Sequence, residues 1–218
     1  TLAWGLLQAQ NNNTQQIKEW ETKLATTSPD TTKVNLYFNL AKAYTVKNAT
    51  KAMEFAFAGY QLAQNLKFKQ GQARLAKRIG TIYYYQGVYD EALLNYFNAL
   101  ELNEVLKNEL EVGKNLNNIA LTYQKLQQFD QALHYYFLAI PKIQKKGQLR
   151  SLAVVNNNIG IVYRYKKELK KALEHYQESL KLNDSLNLQQ SKALNLNNIG
   201  QIYYDLKDFN QTIKYTLE

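Results

Sequence analysis

Leu196-Asn197-Asn198-Ile199-Gly200-Gln201-Ile202-Tyr203 is the stretch whose reading decides the fold. The same pattern stands upstream as Asn156-Asn157-Asn158-Ile159-Gly160-Ile161-Val162-Tyr163 and as Leu116-Asn117-Asn118-Ile119-Ala120-Leu121-Thr122-Tyr123. A looser copy is Ala76-Lys77-Arg78-Ile79-Gly80-Thr81-Ile82-Tyr83. The small residue falls at 80, 120, 160 and 200, a period of forty without slippage. Self-similarity at such a period marks a stacked-repeat architecture, and it outranks any local reading of propensity.

The copies extend further in both directions. Ala41, Gly80, Ala120, Gly160 and Gly200 are each followed three residues on by a tyrosine, at 44, 83, 123, 163 and 203. Twelve residues after the small position stand Ala92, Ala132, Ala172 and Thr212; four beyond the first three come Tyr96, Tyr136 and Tyr176, then Ala99, Ala139 and Ser179. Spacings of three and four place these residues on single helical faces. The turn between the two series is short, as in Gln86-Gly87-Val88-Tyr89, so the two helices of each copy run antiparallel. Small residues let the paired backbones approach, and the tyrosine rings fill the space beside them. Asp90, Asp130 and Asp208 fall at the start of the second helices, where a carboxylate suits the positive end of the helix dipole. Pro141, late in a second helix, is expected to kink or end it.

Composition supports helices and limits chemistry. Apolar residues make up 45% of the 218, which is enough to bury a core, and the chain has only two prolines. With no cysteine it forms no disulfide and offers neither a thiolate ligand nor a thiol nucleophile. The net charge of +9 is spread over nearly every predicted helix, which reads as a solubilising surface rather than a nucleic-acid footprint. No run of eighteen apolar residues is present, so no membrane span is expected in this stretch.

The first 31 residues read as a helical cap on the array. Thr14 is a candidate helix start, with Ile17, Trp20 and Leu24 forming one apolar face that ends at Ser28-Pro29. Residues 1–9 have two readings: the remnant of a secretory leader, or an ordinary helix. The first would place the protein in the cell envelope or periplasm, the second in the cytoplasm. Leu217-Glu218 matches a common affinity-tag junction, and the chain reads as part of a longer protein.

Small residue, tyrosine, short turn, aromatic, alanine is a pattern that resembles the tetratricopeptide repeat. Five copies cover 32–218, at about 32–68, 69–108, 109–148, 149–188 and 189–218. The resemblance implies an all-α fold, a right-handed superhelix of antiparallel helix pairs. The period is forty rather than thirty-four, and the proline that closes the usual repeat is absent. Six extra residues add roughly 9 Å of helix, shared between the two helices. Forty-residue copies reading Asn-Asn-Ile-Gly resemble the long-helix subfamily of kinesin light chains, of peptide-sensing regulators in Gram-positive bacteria, and of sensor proteins in Bacteroidetes-type bacteria. The last group is the most similar in style, and there the array precedes a histidine kinase, a nucleotide cyclase or a LuxR-type DNA-binding domain.

In a curled array the first helices line the concave face. Two residues before each small position this places Asn39, Arg78, Asn118, Asn158 and Asn198 in the groove; three before it come Phe38, Lys77, Asn117, Asn157 and Asn197. An asparagine both donates and accepts, so a ladder of them can hydrogen-bond an extended peptide backbone without demanding a particular side-chain sequence. The alternative is that the amides bond one another and stitch repeat to repeat. Arg74, Lys77 and Arg78, with Lys114 one repeat on, form a candidate basic lobe suited to a carboxylate. Relative to the two-carboxylate clamp of chaperone-binding repeats, Lys77 and Asn118 match but Thr81, Val154 and Asn158 depart. Tyr84, Tyr165 and Tyr204 lie near the groove's edge.

No catalytic set emerges. His134 and His175 have no acidic or histidine neighbour at metal-ligand spacing, and the glycines are isolated packing residues rather than a phosphate loop. The expectation is a non-enzymatic module without cofactor or metal that binds a protein or an extended peptide, as the sensing or scaffolding part of a bacterial signalling protein. The alternative is an intracellular scaffold that dimerises or holds a partner without any diffusible ligand.

Overall fold

The computed structural model describes residues 2–145 and 147–217, with side chains described from Thr14 onward. The leader-remnant reading of residues 1–9 and the tag reading at Glu218 fall outside the described side chains. Among the described residues there are eleven helices and no strand: α1 (Leu2–Thr26), α2 (Thr31–Tyr44), α3 (Ala49–Asn65), α4 (Lys69–Gln86), α5 (Tyr89–Val105), α6 (Glu109–Lys125), α7 (Phe129–Gln144), α8 (Leu149–Tyr165), α9 (Leu169–Ser185), α10 (Gln189–Asp205) and α11 (Phe209–Leu217). They form two compact units, Thr1–Lys107 and Asn108–Glu218. No helix among the described residues is long and apolar enough to cross a membrane.

In the first unit α1 packs on α2, where Tyr44 donates to Glu21 at 2.8 Å and Ile17 is buried. α2 pairs with α3 and α4 with α5. In the second unit the pairs are α6 with α7, α8 with α9, and α10 with α11. Thr14 lies inside α1 rather than at its start. The asparagines before it each cost only a few tenths of a kcal/mol against a good helix former, too little to break a long helix. α7 does not end at Pro141: it continues to Gln144, and the Lys145 N–H donates to the Pro141 carbonyl at 3.2 Å. Pro141 and Phe137 are both exposed, so water can serve the Phe137 carbonyl that the proline leaves without a donor.

Helix ends follow the same period as the helices. Residues 67, 107, 147 and 187, and 87, 127, 167 and 207, all have positive φ, between 53° and 78°. All but Lys107 are followed by an N–H that reaches back five residues to a helix carbonyl, as Glu168 does to Tyr163 at 2.9 Å and Val88 to Tyr83 at 3.0 Å. This left-handed cap satisfies the last carbonyls and turns the chain. Only Gly87 and Gly147 fill the position without steric cost; elsewhere it is held by Lys67, Lys107, Gln127, Lys167, Asn187 and Lys207. Lys167→Gly is therefore expected to stabilise by about 0.5–1 kcal/mol, and Gly87→Ala, whose added methyl would meet nothing within 4 Å, to destabilise by about as much. Urea titration of the two variants measures both signs.

The repeated stretch forms the core of each pair. Ile79, Ile119, Ile159 and Ile199 are all fully buried, as are Ala41, Ala120, Ala132, Ala139 and Ala172. At Gly160 a Cβ would lie 2.7 Å from the Tyr176 ring, so the two helices approach as closely as a glycine permits. Tyr176 and Tyr136 are themselves fully buried. The tyrosine three residues after the small position packs face to face on the ring that the second helix offers. Tyr123 stacks on Tyr135 at 5.4 Å, Tyr203 on Tyr215 at 5.4 Å, Tyr44 on Phe55 at 5.8 Å, and Tyr163 on His175 at 5.7 Å. His175 is thus one rung of an aromatic series. Its Nδ1 lies 2.9 Å from the side-chain Oδ1 of Asn156, and burial holds its pKa below the ordinary value.

Candidate binding groove

In the first unit the first helices α2 and α4 lie against each other. Arg74 donates to Asn35 at 2.8 Å and its guanidinium sits 4.1 Å from the centre of the Phe38 ring; Arg78 lies over the same ring at 5.4 Å. The two cations thus share one aromatic ring, a favourable contact for desolvated guanidinium groups. The Nε of Arg78 is buried without a hydrogen-bond partner, and burial lowers its pKa by disfavouring the charge. Lys77 and Asn39 are half-buried on the same helices. Lys114 belongs to the second unit, where it pairs with Glu111 at 2.8 Å.

In the second unit the asparagines divide into two groups. Asn157 on α8 accepts from Asn198 at 2.9 Å and from Asn195 at 3.2 Å, both on α10. These amides join one repeat to the next. Asn118 and Asn158 are half-buried, and their side-chain amides bond no other described residue; the Asn117 carbonyl oxygen is buried without a partner, and Asn197 is exposed. Both of the uses foreseen for the asparagine ladder are therefore physically available, each to different members of it.

Several residues that matter were not singled out by spacing. Asn195 is fully buried and accepts from Asn183 at 2.7 Å and from Ser179 at 3.2 Å, while Ser179 also donates to the Ala153 carbonyl at 2.8 Å. This forms a polar layer between α8, α9 and α10. One repeat earlier the same places hold Ala139, Ile143 and Val155, all buried and apolar. Arg164, four residues after Gly160, bridges to α10 by bonding Asp205 at 3.0 Å and also Gln201. The edge tyrosines pack locally: Tyr165 stacks on Phe129 at 5.5 Å, Tyr204 meets Phe209 edge-on, and Tyr84 lies against Tyr85 and Tyr89. Column-by-column comparison of the copies carries the signal for these residues, because Ser179 puts a hydroxyl in a column that holds alanine at 99 and 139, and Arg164 a charge in one that is otherwise uncharged.

Family models described as tetratricopeptide repeat match residues 113–140 and 151–215. Solved structures of such repeats superpose along almost the whole chain. The fold is that of a tetratricopeptide-repeat array. BtubC from P. vanneervenii is similar to the array at a TM-score of 0.79 and 20% identity, over 94% of this chain and 85% of that one. A signal transduction ATPase from Pyrococcus horikoshii, which carries a tetratricopeptide repeat sensor, aligns at 0.82 and 16% identity over 96% of the array, which spans only 33% of that protein. A Rap protein complexed with competence and sporulation factor aligns at 0.68 and 14% identity, over 95% of the array and 69% of that chain. At these identities the likeness is one of fold. No curated protein matches the array significantly in sequence.

Proposed function

We propose that the array is a non-enzymatic module that binds a protein or an extended peptide along its first helices, as the sensing or scaffolding region of a larger bacterial signalling protein. The observation that carries this reading is the free amides of Asn118 and Asn158. They occupy one register, on α6 and α8, and bond no described residue. A helix face that places such groups at successive turns of an array offers paired donors and acceptors to a backbone in extended conformation. Asn39 has the same register in the first unit, and Arg74 and Arg78 add positive charge beside it. The sensor role is supported by the two structural neighbours whose descriptions name a sensor and a bound factor.

The test is selection from a displayed library of random dodecapeptides, read against a double variant, Asn118→Ala with Asn158→Ala. Because these amides bond no described residue, the variant is expected to keep its thermal midpoint while losing at least tenfold in affinity for the selected peptides. Failure to select any peptide, or equal binding by the variant, removes the groove reading. The scaffold alternative rests on an apolar strip on α11, where Phe209 and Ile213 are each 57% exposed and Leu217 is 82% exposed. Sedimentation velocity at rising concentration tells a self-associating chain from a monomer.

A further inference from the structure

A cavity of about 380 Å³ opens between α8 and α10, lined by Ile161, Arg164, Lys167, Tyr176, Asn198 and Asp205. Tyr176 comes from the second helix behind them and is 1% exposed, yet its hydroxyl bonds no described residue. The tyrosines at the same place in the two preceding pairs are served. Tyr96 donates to Thr81 at 3.3 Å, and Tyr136 to Gln124 at 2.8 Å. In the fourth copy Ile161 stands where Thr81 does and has no acceptor to offer, while Arg164 stands where Gln124 does and is a donor itself. The fold thus repeats the phenol and omits its acceptor at the fourth copy, where a cavity lies in front of it. The hydroxyl opens onto the cavity, so an incoming acceptor exchanges its water for a direct hydrogen bond.

The rest of the lining indicates which acceptor. Arg164 spends its Nε on Asp205 and its Nη1 on Gln201, leaving guanidinium hydrogens free. Lys167 brings a second cation that pairs with no described acid, so the two cations outnumber the single carboxylate of Asp205. Burial raises the pKa of Tyr176, which keeps the phenol a donor across the ordinary pH range. We infer that this cavity is an anchor for a carboxylate, received by the Tyr176 hydroxyl with Arg164 and Lys167 supplying the charge. The inference deepens the groove reading above, since the cavity lies between two of the same first helices. A carboxylate reaches it either on an acidic side chain or at a chain's C-terminus, and the two share this chemistry.

The experiment uses small probes, so it does not depend on the unknown peptide. N-acetylglycine presents a terminal carboxylate, the α-amide of N-acetylglutamate presents a side-chain one, and N-acetylglycinamide presents neither. Each is titrated at constant ionic strength into isotopically labelled protein, with the Asn198 side-chain amide signal as the readout. Saturable shifts are expected with the two acids and not with the neutral amide, and the tighter acid shows which source the site prefers. Tyr176→Phe should weaken both acids by about tenfold. Its thermal midpoint should stay unchanged, because the lost hydroxyl opens onto the cavity and bonds no described residue; Tyr136→Phe, which loses its bond to Gln124, is the contrasting control. Equal response to the neutral amide, or undiminished affinity in Tyr176→Phe, overturns the anchor. Either result leaves the outcome of the library selection unaffected, so failure of the anchor and failure of the groove are told apart.

Discussion

Ile159→Ala is expected to remove about 2–5 kcal/mol of stability, the range for emptying a fully packed aliphatic site. Ile159 is 0% exposed and stands beside Gly160, where an added Cβ would lie 2.7 Å from the Tyr176 ring. The neighbouring small residues leave no long side chain free to swing into the void, so collapse around the missing atoms is limited and the upper part of the range applies. For a chain of this length each kcal/mol corresponds to roughly 2–4 °C in the thermal midpoint. Loss below about 1 kcal/mol in a circular dichroism melt would show that the Ile-Gly stretch does not form the interior of the pair. The same substitution at the exposed Leu194 should change little, since its side chain is largely in water already.

The polar layer around Asn195 gives the second large effect, and its sign depends on how many residues are changed. Asn195→Ala alone strips Asn183 of its 2.7 Å acceptor and Ser179 of one of the two oxygens within its reach, among side chains that are at most 5% exposed. That should cost about 2–3 kcal/mol, most of it the penalty of stranded donors rather than the worth of the bonds themselves. Replacing the whole set with the residues of the preceding layer, as Ser179→Ala, Asn183→Ile and Asn195→Val, leaves no group stranded and substitutes a packing that the same backbone already uses at 139, 143 and 155. This triple variant should be at least as stable as the parent and gain up to about 2 kcal/mol. Chemical denaturation of both proteins decides the matter. If the triple variant falls further than the single one, the polar layer is a net stabiliser and the argument from stranded donors is wrong.

Much of the architecture was legible in the chain because its governing signal is periodic. Five small-tyrosine pairs at intervals of about forty specify where helices pair and which faces meet, and side chains such as Ile119 and Tyr136 lie where that spacing puts them. Positions without periodicity were harder to read. Thr14 looked like a helix start because it is a good capping residue, but α1 runs through it. Pro141 looked like a stop, yet it falls on a face where water can replace the lost bond. The groove was legible only in part, since the pattern gives the register of an asparagine and not its partner. Asn157 and Asn198 bond each other while Asn118 and Asn158 do not, because the α8 and α10 amides come within hydrogen-bonding reach. The unpartnered hydroxyl of Tyr176 was invisible in its own repeat, where the tyrosine matches its column; only the substitutions at 161 and 164 betray it.

Both tryptophans of the chain, Trp4 and Trp20, belong to α1, whereas tyrosines are distributed over the helix pairs of both units. Indole emission therefore observes only the leading end of the molecule, and backbone ellipticity observes all of it. Melting curves recorded by the two probes superimpose only when the first unit and the second come apart together. A gap between them would measure, without any mutation, how far one half of the array can unravel while the other holds.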